Sequence, residues 1–290
     1  ALGCSPLARD AYLKCANDLF RYPDGSAAEL RGALGKTYDM NPDRIICGSG
    51  SEELISLLVR AYAGVGDEVL FPQYGFLMYP ICAKAVGATP VTAPEKDFRT
   101  DVDALLKAVT PKTKMLLLAN PNNPTGSYIG RDELKHLCEK LPSNILVLLD
   151  SAYAEFVREK DYSDGRDMVD AHPNVVMLRT FSKIYGLAAL RLGWGYCSPE
   201  VTGVVNRVRG AFNVNAPAQA AGVAALNDKD FLKRTLEMTD TGRKYLTENI
   251  AALGYRVLPA VANFLLVEFG PRAEEIRVAL KDKGIFIRQM

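Results

Sequence analysis

Apolar residues in this chain fall into two kinds of run. Short apolar or β-branched segments at Arg44–Cys47, Glu68–Phe71, Thr89–Val91, Met115–Ala119, Ile145–Asp150, Val175–Thr180 and Gly193–Cys197 read as strands. Amphipathic segments with helical spacing separate them. This alternation, from Ile45 to about Val214, predicts a mostly parallel sheet with helices on both faces. Ahead of it lie a helical pattern around Leu7–Phe20, a turn at Arg21-Tyr22-Pro23-Asp24-Gly25 and a helix over Glu29–Tyr38. From Pro217 the character changes. Residues Pro217–Leu253 are helix-rich, with a break at Asn227-Asp228. Strands follow at Arg256–Leu258, Phe264–Val267 and Ile285–Arg288, with a helix at Glu274–Lys283. The pattern divides the chain into an arm at 1–28, a large α/β domain at 29–216 and a smaller α+β domain at 217–290. There is no internal repeat or low-complexity tract.

Composition narrows the function. The chain has 290 residues, enough for a sizeable core, and 48% of them are hydrophobic. A formal net charge of +1 gives no reason to expect nucleic acid or an anionic membrane as partner. No apolar run approaches the roughly 18 residues that span a bilayer, and the first residues do not read as a signal peptide. Six scattered cysteines with no C-x-x-C pair suggest free thiols in a reducing, cytoplasmic compartment. His136 and His172 are the two histidines, and neither lies near a nucleophile motif, which disfavours a histidine metal site or a Ser-His-Asp hydrolase. The chain starts without methionine and stops inside an expected strand, so both ends read as trimmed.

Three expected strands end in polar residues that suit one task. Met115–Ala119 leads into Asn120-Pro121-Asn122-Asn123-Pro124-Thr125-Gly126, Ile145–Leu149 into Asp150, and Val175–Leu178 towards Lys183. In an open α/β sheet the carboxyl ends of the strands share one crevice. An amide, a carboxylate and an amine meeting there fit pyridoxal phosphate. The amine forms a Schiff base with the aldehyde, the carboxylate keeps the pyridine nitrogen protonated, and the amide binds the ring oxygen. Each residue alone has a plainer reading, as a surface lysine, a helix cap or a turn.

Flanking motifs add to the trio. Gly48-Ser49-Gly50-Ser51-Glu52-Glu53 sits between a strand and a helix whose free N–H groups can hold phosphate, and Ser49 and Glu52 have capping-box spacing. Tyr74 follows another strand and is placed to stack on a flat ring. Tyr153, three residues past Asp150, is expected near the same helical face, beside Asn123. Thr180, Ser182 and Arg191 surround Lys183 with two hydroxyls and a guanidinium, a set that can neutralise a phosphate.

The runs RYPDG, GSGSEELI, NPNNPTG, DSAYAEF, RTFSKIYGLAALRLGWG, FNVNAPAQ and ANFLLV, in this order, resemble the histidinol-phosphate aminotransferase family of fold type I pyridoxal-phosphate enzymes. The similarity covers essentially the whole chain. It implies Lys183 as the Schiff-base lysine and proton carrier, Asp150 on the pyridine nitrogen, Asn123 and Tyr153 on the ring oxygen, and Tyr74 on the ring face. The backbone at Ser51 and Glu52, with Thr180, Ser182 and Arg191, would hold the phosphate. Tyr22 would reach into the site of a second subunit in a homodimer, and Arg288 would bind the anionic end of the substrate. The chain departs from the family in reading Ser151 where a Glu is usual, and in lacking an Asn-Glu-Asn-Pro arm and a final arginine-bearing segment. The activity implied is transfer of an amino group between histidinol phosphate and 2-oxoglutarate. Aromatic amino acids as donors, a decarboxylase on the same scaffold, and a non-catalytic sensor fused to a DNA-binding module are the alternatives.

Overall fold

The computed structural model describes residues 2–290. At its centre lies a seven-stranded sheet. In chain order its strands are β1 (Ile45–Gly48), β2 (Glu68–Pro72) and β3 (Thr89–Ala93). After a small hairpin of β4 (Glu95–Lys96) and β5 (Arg99–Thr100) come β6 (Thr113–Ala119), β7 (Leu146–Asp150), β8 (Val175–Thr180) and β9 (Gly193–Tyr196). Each of the seven lies within two residues of the bounds expected from the pattern. Their spatial order is β1-β9-β8-β7-β6-β2-β3. Only β9 runs against its neighbours, pairing Gly193 with both Gly48 and Thr180. The other pairings are parallel. Six strands therefore finish at one edge of the sheet, and β9 starts there.

The strands read as continuous apolar runs because both faces of the sheet are covered. Successive residues alternate between two cores. Leu116, Leu118, Val147 and Leu149 enter one, and Met115, Leu117, Leu146 and Leu148 the other. The first core is closed by α1 (Pro6–Lys14) and α2 (Ala28–Tyr38), together with helices described below. The second is closed by α3 (Ser51–Tyr62) and α4 (Met78–Ala85). Helix α3 buries Leu54, Ile55, Leu57, Leu58 and Val59 on one stripe. At about 1.5–3 kcal/mol for each fully buried large apolar side chain, this stripe dominates its anchoring. Helices α5 (Val102–Lys107), α6 (Arg131–Lys140) and α7 (Arg166–Ala171) pack on the first face, and α8 (Pro199–Val208) on the second.

The C-terminal part differs from the sequence pattern in two places. The expected boundary at 217 falls within α9 (Ala216–Asn227), and α9 buries Ala218, Ala221 and Ala225 in the same core as Leu30 and Leu34 of α2. Asp228 then caps α10 (Lys229–Ala252) and accepts a hydrogen bond from Ser5 at 2.6 Å. Beyond it, β10 (Arg256–Val257) pairs with β11 (Val267–Glu268), and α11 (Ala273–Asp282) follows. Residues Ile285–Arg288 form no strand. They are exposed and pair with no strand, because alternation alone does not make a strand without an edge to bond to. At the other end, the pattern around Leu7–Phe20 becomes α1 followed by a 3-10 turn at Cys15–Asp18, leaving Leu19 and Phe20 exposed.

Candidate active site

The strand ends bring most of the expected residues to one edge. Asp150 closes β7 and is 6% exposed. Tyr79, fully buried on α4, donates to its Oδ2 at 3.4 Å. Its Oδ1 is buried and has no hydrogen-bond partner among the described residues. Burial pushes the Asp150 carboxyl up to about 6, although the Lys183 charge and local hydrogen bonds pull it down. Lys183 lies in the loop after β8, with its Nζ 5.3 Å from the centre of the Tyr153 ring. Its own pKa is lowered by burial, against the pull of Asp150 and with the help of Arg191. A larger share of neutral amine makes a better nucleophile.

Asn123 donates through Nδ2 to the Tyr153 hydroxyl at 3.3 Å. The two side chains lie beside each other, but not through a helix. Residues 151–153 form a turn, with a 3-10 segment only at Ala154–Phe156. Tyr153 is held by packing, with the Phe264 ring edge-on at 5.1 Å. The loop around Asn123 is tied internally. Asn120 accepts from the Ile129 N–H at 3.0 Å, and Asn122 donates to the Tyr74 carbonyl at 3.2 Å. The Tyr74 ring stacks on Phe98 at 5.1 Å.

The phosphate-binding candidates gather where β1, β8 and β9 meet. Helix α3 opens at Ser51, so its first N–H groups, at Ser51 and Glu52, lie free of intrahelical partners. The capping box expected from Ser49 and Glu52 does not form. Gly50 is the N-cap, at φ 85°, and Glu53 rather than Glu52 takes the Ser49 N–H at 2.6 Å. The Ser49 hydroxyl donates instead to the Asn213 carbonyl. Thr180 receives the Ser182 N–H on its hydroxyl at 3.1 Å. Arg191 stands in the left-handed region at φ 53°, a conformation that costs a non-glycine residue about 1–2 kcal/mol and tends to mark functional positions. Its Nη2 is 3.7 Å from Glu52, with both side chains about half exposed. Such an exposed pair is weak, so the guanidinium is free to turn to a stronger anion.

Two expected residues lie apart. Tyr22 is 83% exposed and stacks on Phe212 at 4.7 Å. Arg288 is exposed in the segment after α11 and makes no ion pair among the described residues. Residues that sequence reasoning missed include Tyr79, Phe264 and a buried cluster around Arg179. Arg179 bonds Glu155 and Asp164 at 2.8 Å each and lies beneath the rings of Tyr38 and Trp194. Tyr38 and Tyr185 share a 2.7 Å hydrogen bond beside it. The available signal for Arg179 was a lone charge inside a buried strand.

A fold with one reversed strand, a lysine past β8 and a carboxylate at the end of β7 defines a pyridoxal-phosphate transferase of fold type I, and the chain belongs to the class I and II aminotransferases, whose family model matches residues 7–290. Among characterised relatives, it is 50% identical to the histidinol-phosphate aminotransferase of Rhodospirillum centenum, over all of this chain and 81% of that one. It is 52% identical to the enzyme of the same name from Paramagnetospirillum magneticum, with the same coverage. Among solved structures, the histidinol-phosphate aminotransferase of Sinorhizobium meliloti in complex with pyridoxal 5′-phosphate superposes with a TM-score of 0.93. It is 31% identical and is matched over 99% of this chain and 79% of that one.

The donor set fits that cofactor. The free Oδ1 of buried Asp150 lacks the donor that a protonated ring nitrogen supplies. A Cβ on Gly193 would strike the backbone of Gly50 and Ser51, so only glycine lets β9 meet the start of α3 so closely. No helix is long and apolar enough to cross a membrane, and no group of three or more His, Cys, Asp or Glu is placed to hold a metal, both among the described residues.

Proposed function

We propose that this chain is a pyridoxal-phosphate-dependent aminotransferase that moves an amino group between L-histidinol phosphate and 2-oxoglutarate. The observation that carries the cofactor assignment is Asp150, a buried carboxylate with one oxygen unpartnered, at the same sheet edge as Lys183. The substrate assignment rests on the relatives at 50% and 52% identity across the whole chain. When bound, the cofactor supplies an electron sink that makes the substrate's Cα–H acidic.

The chain's own residues do the rest. Asp150 keeps the ring nitrogen protonated. Asn123 and Tyr153 would hold the ring oxygen as two hydrogen-bond donors, and Tyr74 would cover the ring face. The N–H groups of Ser51 and Glu52, with Thr180, Ser182 and Arg191, bind the phosphate. Lys183 would bind the aldehyde and, as a neutral amine, would take the proton from the substrate's Cα. Its lowered pKa favours the neutral amine that this step needs. Arg288 binds the anionic end of the substrate.

We assign a homodimer as the working unit, with Tyr22 completing the partner's site. Leu19, Phe20, Tyr22 and Phe212 form an exposed apolar and aromatic set at 68%, 76%, 83% and 50%, and a second copy would cover it. Domains follow as an arm, a large cofactor-binding domain extending through α9, and a small domain from Asp228.

The test is single-turnover mixing of the cofactor-loaded protein with L-histidinol phosphate and, separately, with L-tyrosine or L-phenylalanine. Loss of the visible cofactor absorbance with histidinol phosphate, and its return on adding 2-oxoglutarate, is expected. Faster loss with the aromatic acids would replace the substrate assignment. No loss with any of the three would remove the aminotransferase reading.

A further inference from the structure

Beside the loop that carries Asn123, two buried oxygens lack the same thing. Asn122 donates through Nδ2 to the Tyr74 carbonyl at 3.2 Å and the Thr125 hydroxyl at 3.0 Å, and the same nitrogen lies 3.5 Å from Oε1 of Glu95 on β4. This leaves Oδ1 of Asn122 and Oε2 of Glu95 both buried, and both without a partner among the described residues. Each buried acceptor left without a donor costs about 1–3 kcal/mol. One proton would serve both, since a carboxylic acid has a donor where a carboxylate has none.

We propose that Glu95 is a positioning residue that works as a neutral carboxylic acid, its O–H supplying the donor that the Glu95–Asn122 contact lacks and so fixing the cofactor loop and Tyr74. No countercharge offers an alternative. On its own hairpin, Asp97 is paired with Arg256, Arg99 is paired with Glu133, and Lys96 is exposed. The Asn120–Gly126 loop has no ionisable side chain. The end of β2 offers only the Tyr74 phenol, whose ring lies on Phe98. Burial accordingly pushes the Glu95 carboxyl up to about 7, with the Tyr74 backbone N–H acting in the other direction. With its folded value above the unfolded one, the brace is intact at low pH and is lost as pH rises through 7.

The effect on the cofactor rests on the proposed role of this loop, whereas the proton itself does not. The first measurement is therefore infrared difference spectroscopy of the cofactor-free protein. A protonated-carboxyl band that fades between pH 6 and pH 8, and is missing from Glu95→Gln, is expected. Its absence in the wild type at pH 6 overturns the proposal. The second measurement is the cofactor dissociation constant at both pH values, taken as a ratio of wild type to variant so that other titrating groups cancel. One pH unit either side of the midpoint moves the protonated share from roughly 0.9 to roughly 0.1, so the ratio should worsen about tenfold. Glu95→Gln, which carries a permanent donor, should keep the low-pH affinity at both values. Glu95→Met, which has none, should bind weakly at both. A flat ratio, or Glu95→Met matching Glu95→Gln, removes the positioning role. Failure of the wild type to bind cofactor at any pH sinks the cradle reading while leaving the infrared result standing.

Discussion

Replacing Arg179 with methionine should be among the most damaging single changes in the chain. Its side chain is 4% exposed, and it holds Glu155 and Asp164 at 2.8 Å each. Asp164, at 34% exposed, can recover water, but Glu155, at 11%, cannot. The variant leaves Glu155 with the Tyr38 hydroxyl at 3.4 Å as its remaining hydrogen bond. Stranding one partner of a buried pair costs about 3–5 kcal/mol. Loss of the stacking on Tyr38 and Trp194 adds roughly 1 kcal/mol. The total is a large share of the roughly 5–15 kcal/mol that holds a typical domain folded. Urea unfolding followed by the fluorescence of Trp194, the sole tryptophan, reads this directly. Adding Glu155→Gln, which removes the stranded charge, should recover part of the loss. A deficit under about 1 kcal/mol, or no recovery in the double variant, would refute the reasoning.

Four further outcomes are expected. Lys183→Ala should abolish turnover while the protein still binds cofactor non-covalently, visible as co-elution without the shifted absorbance of the attached form; measurable turnover would remove the lysine from its role. Tyr79→Phe removes a hydroxyl 3.4 Å from Asp150, a long contact worth about 0.5–1.5 kcal/mol, so the rate should fall roughly two- to tenfold with little change in substrate affinity; an unchanged kcat would count against it. Because burial raises Asp150 to about 6 in the cofactor-free protein, cofactor affinity should weaken as pH drops below 6, where the carboxylate is lost; titration by fluorescence between pH 5 and pH 8 checks the direction. Gly193→Ala should push α3 away from β9 and weaken binding of inorganic phosphate to the cofactor-free protein, which calorimetry measures.

The parts of the fold that were legible in the sequence are those set by local patterning. The seven sheet strands were readable because burial on both faces gives uninterrupted apolar runs, and their ends carried polar residues that had no reason to be buried alone. The Asn123–Tyr153 pair was also anticipated, though for the wrong local reason. Spacing of three residues suggested a shared helical face, whereas Tyr153 is placed by Phe264, more than a hundred residues away. Distance along the chain explains the other misses. Tyr79 meets Asp150 across 71 positions, and the donors and acceptors of the Arg179 cluster come from four separate segments. Ser49 had capping spacing with Glu52, but Glu53, one residue further on, takes its N–H. The strand expected at Ile285–Arg288 failed because alternation specifies a face and not a partner.

Residues 260–264 are fastened directly onto the Asn120–Gly126 loop. Val261 donates its N–H to the Gly126 carbonyl at 2.9 Å, Ala260 lies where a Gly126 side chain would sit, and Phe264 backs Tyr153. Whatever orders that loop must therefore also order residues 260–264, and the α10 helix that Arg243 ties to them through the carbonyls of Val261 and Ala262. Ligand binding and the ordering of this C-terminal segment are linked: free ligand at a hundred times the dissociation constant adds about 2.7 kcal/mol against any opening that breaks the contact. Protection of the amides in α10 from hydrogen exchange thus becomes a gauge of loading, read some distance from the chemistry and without any substrate present.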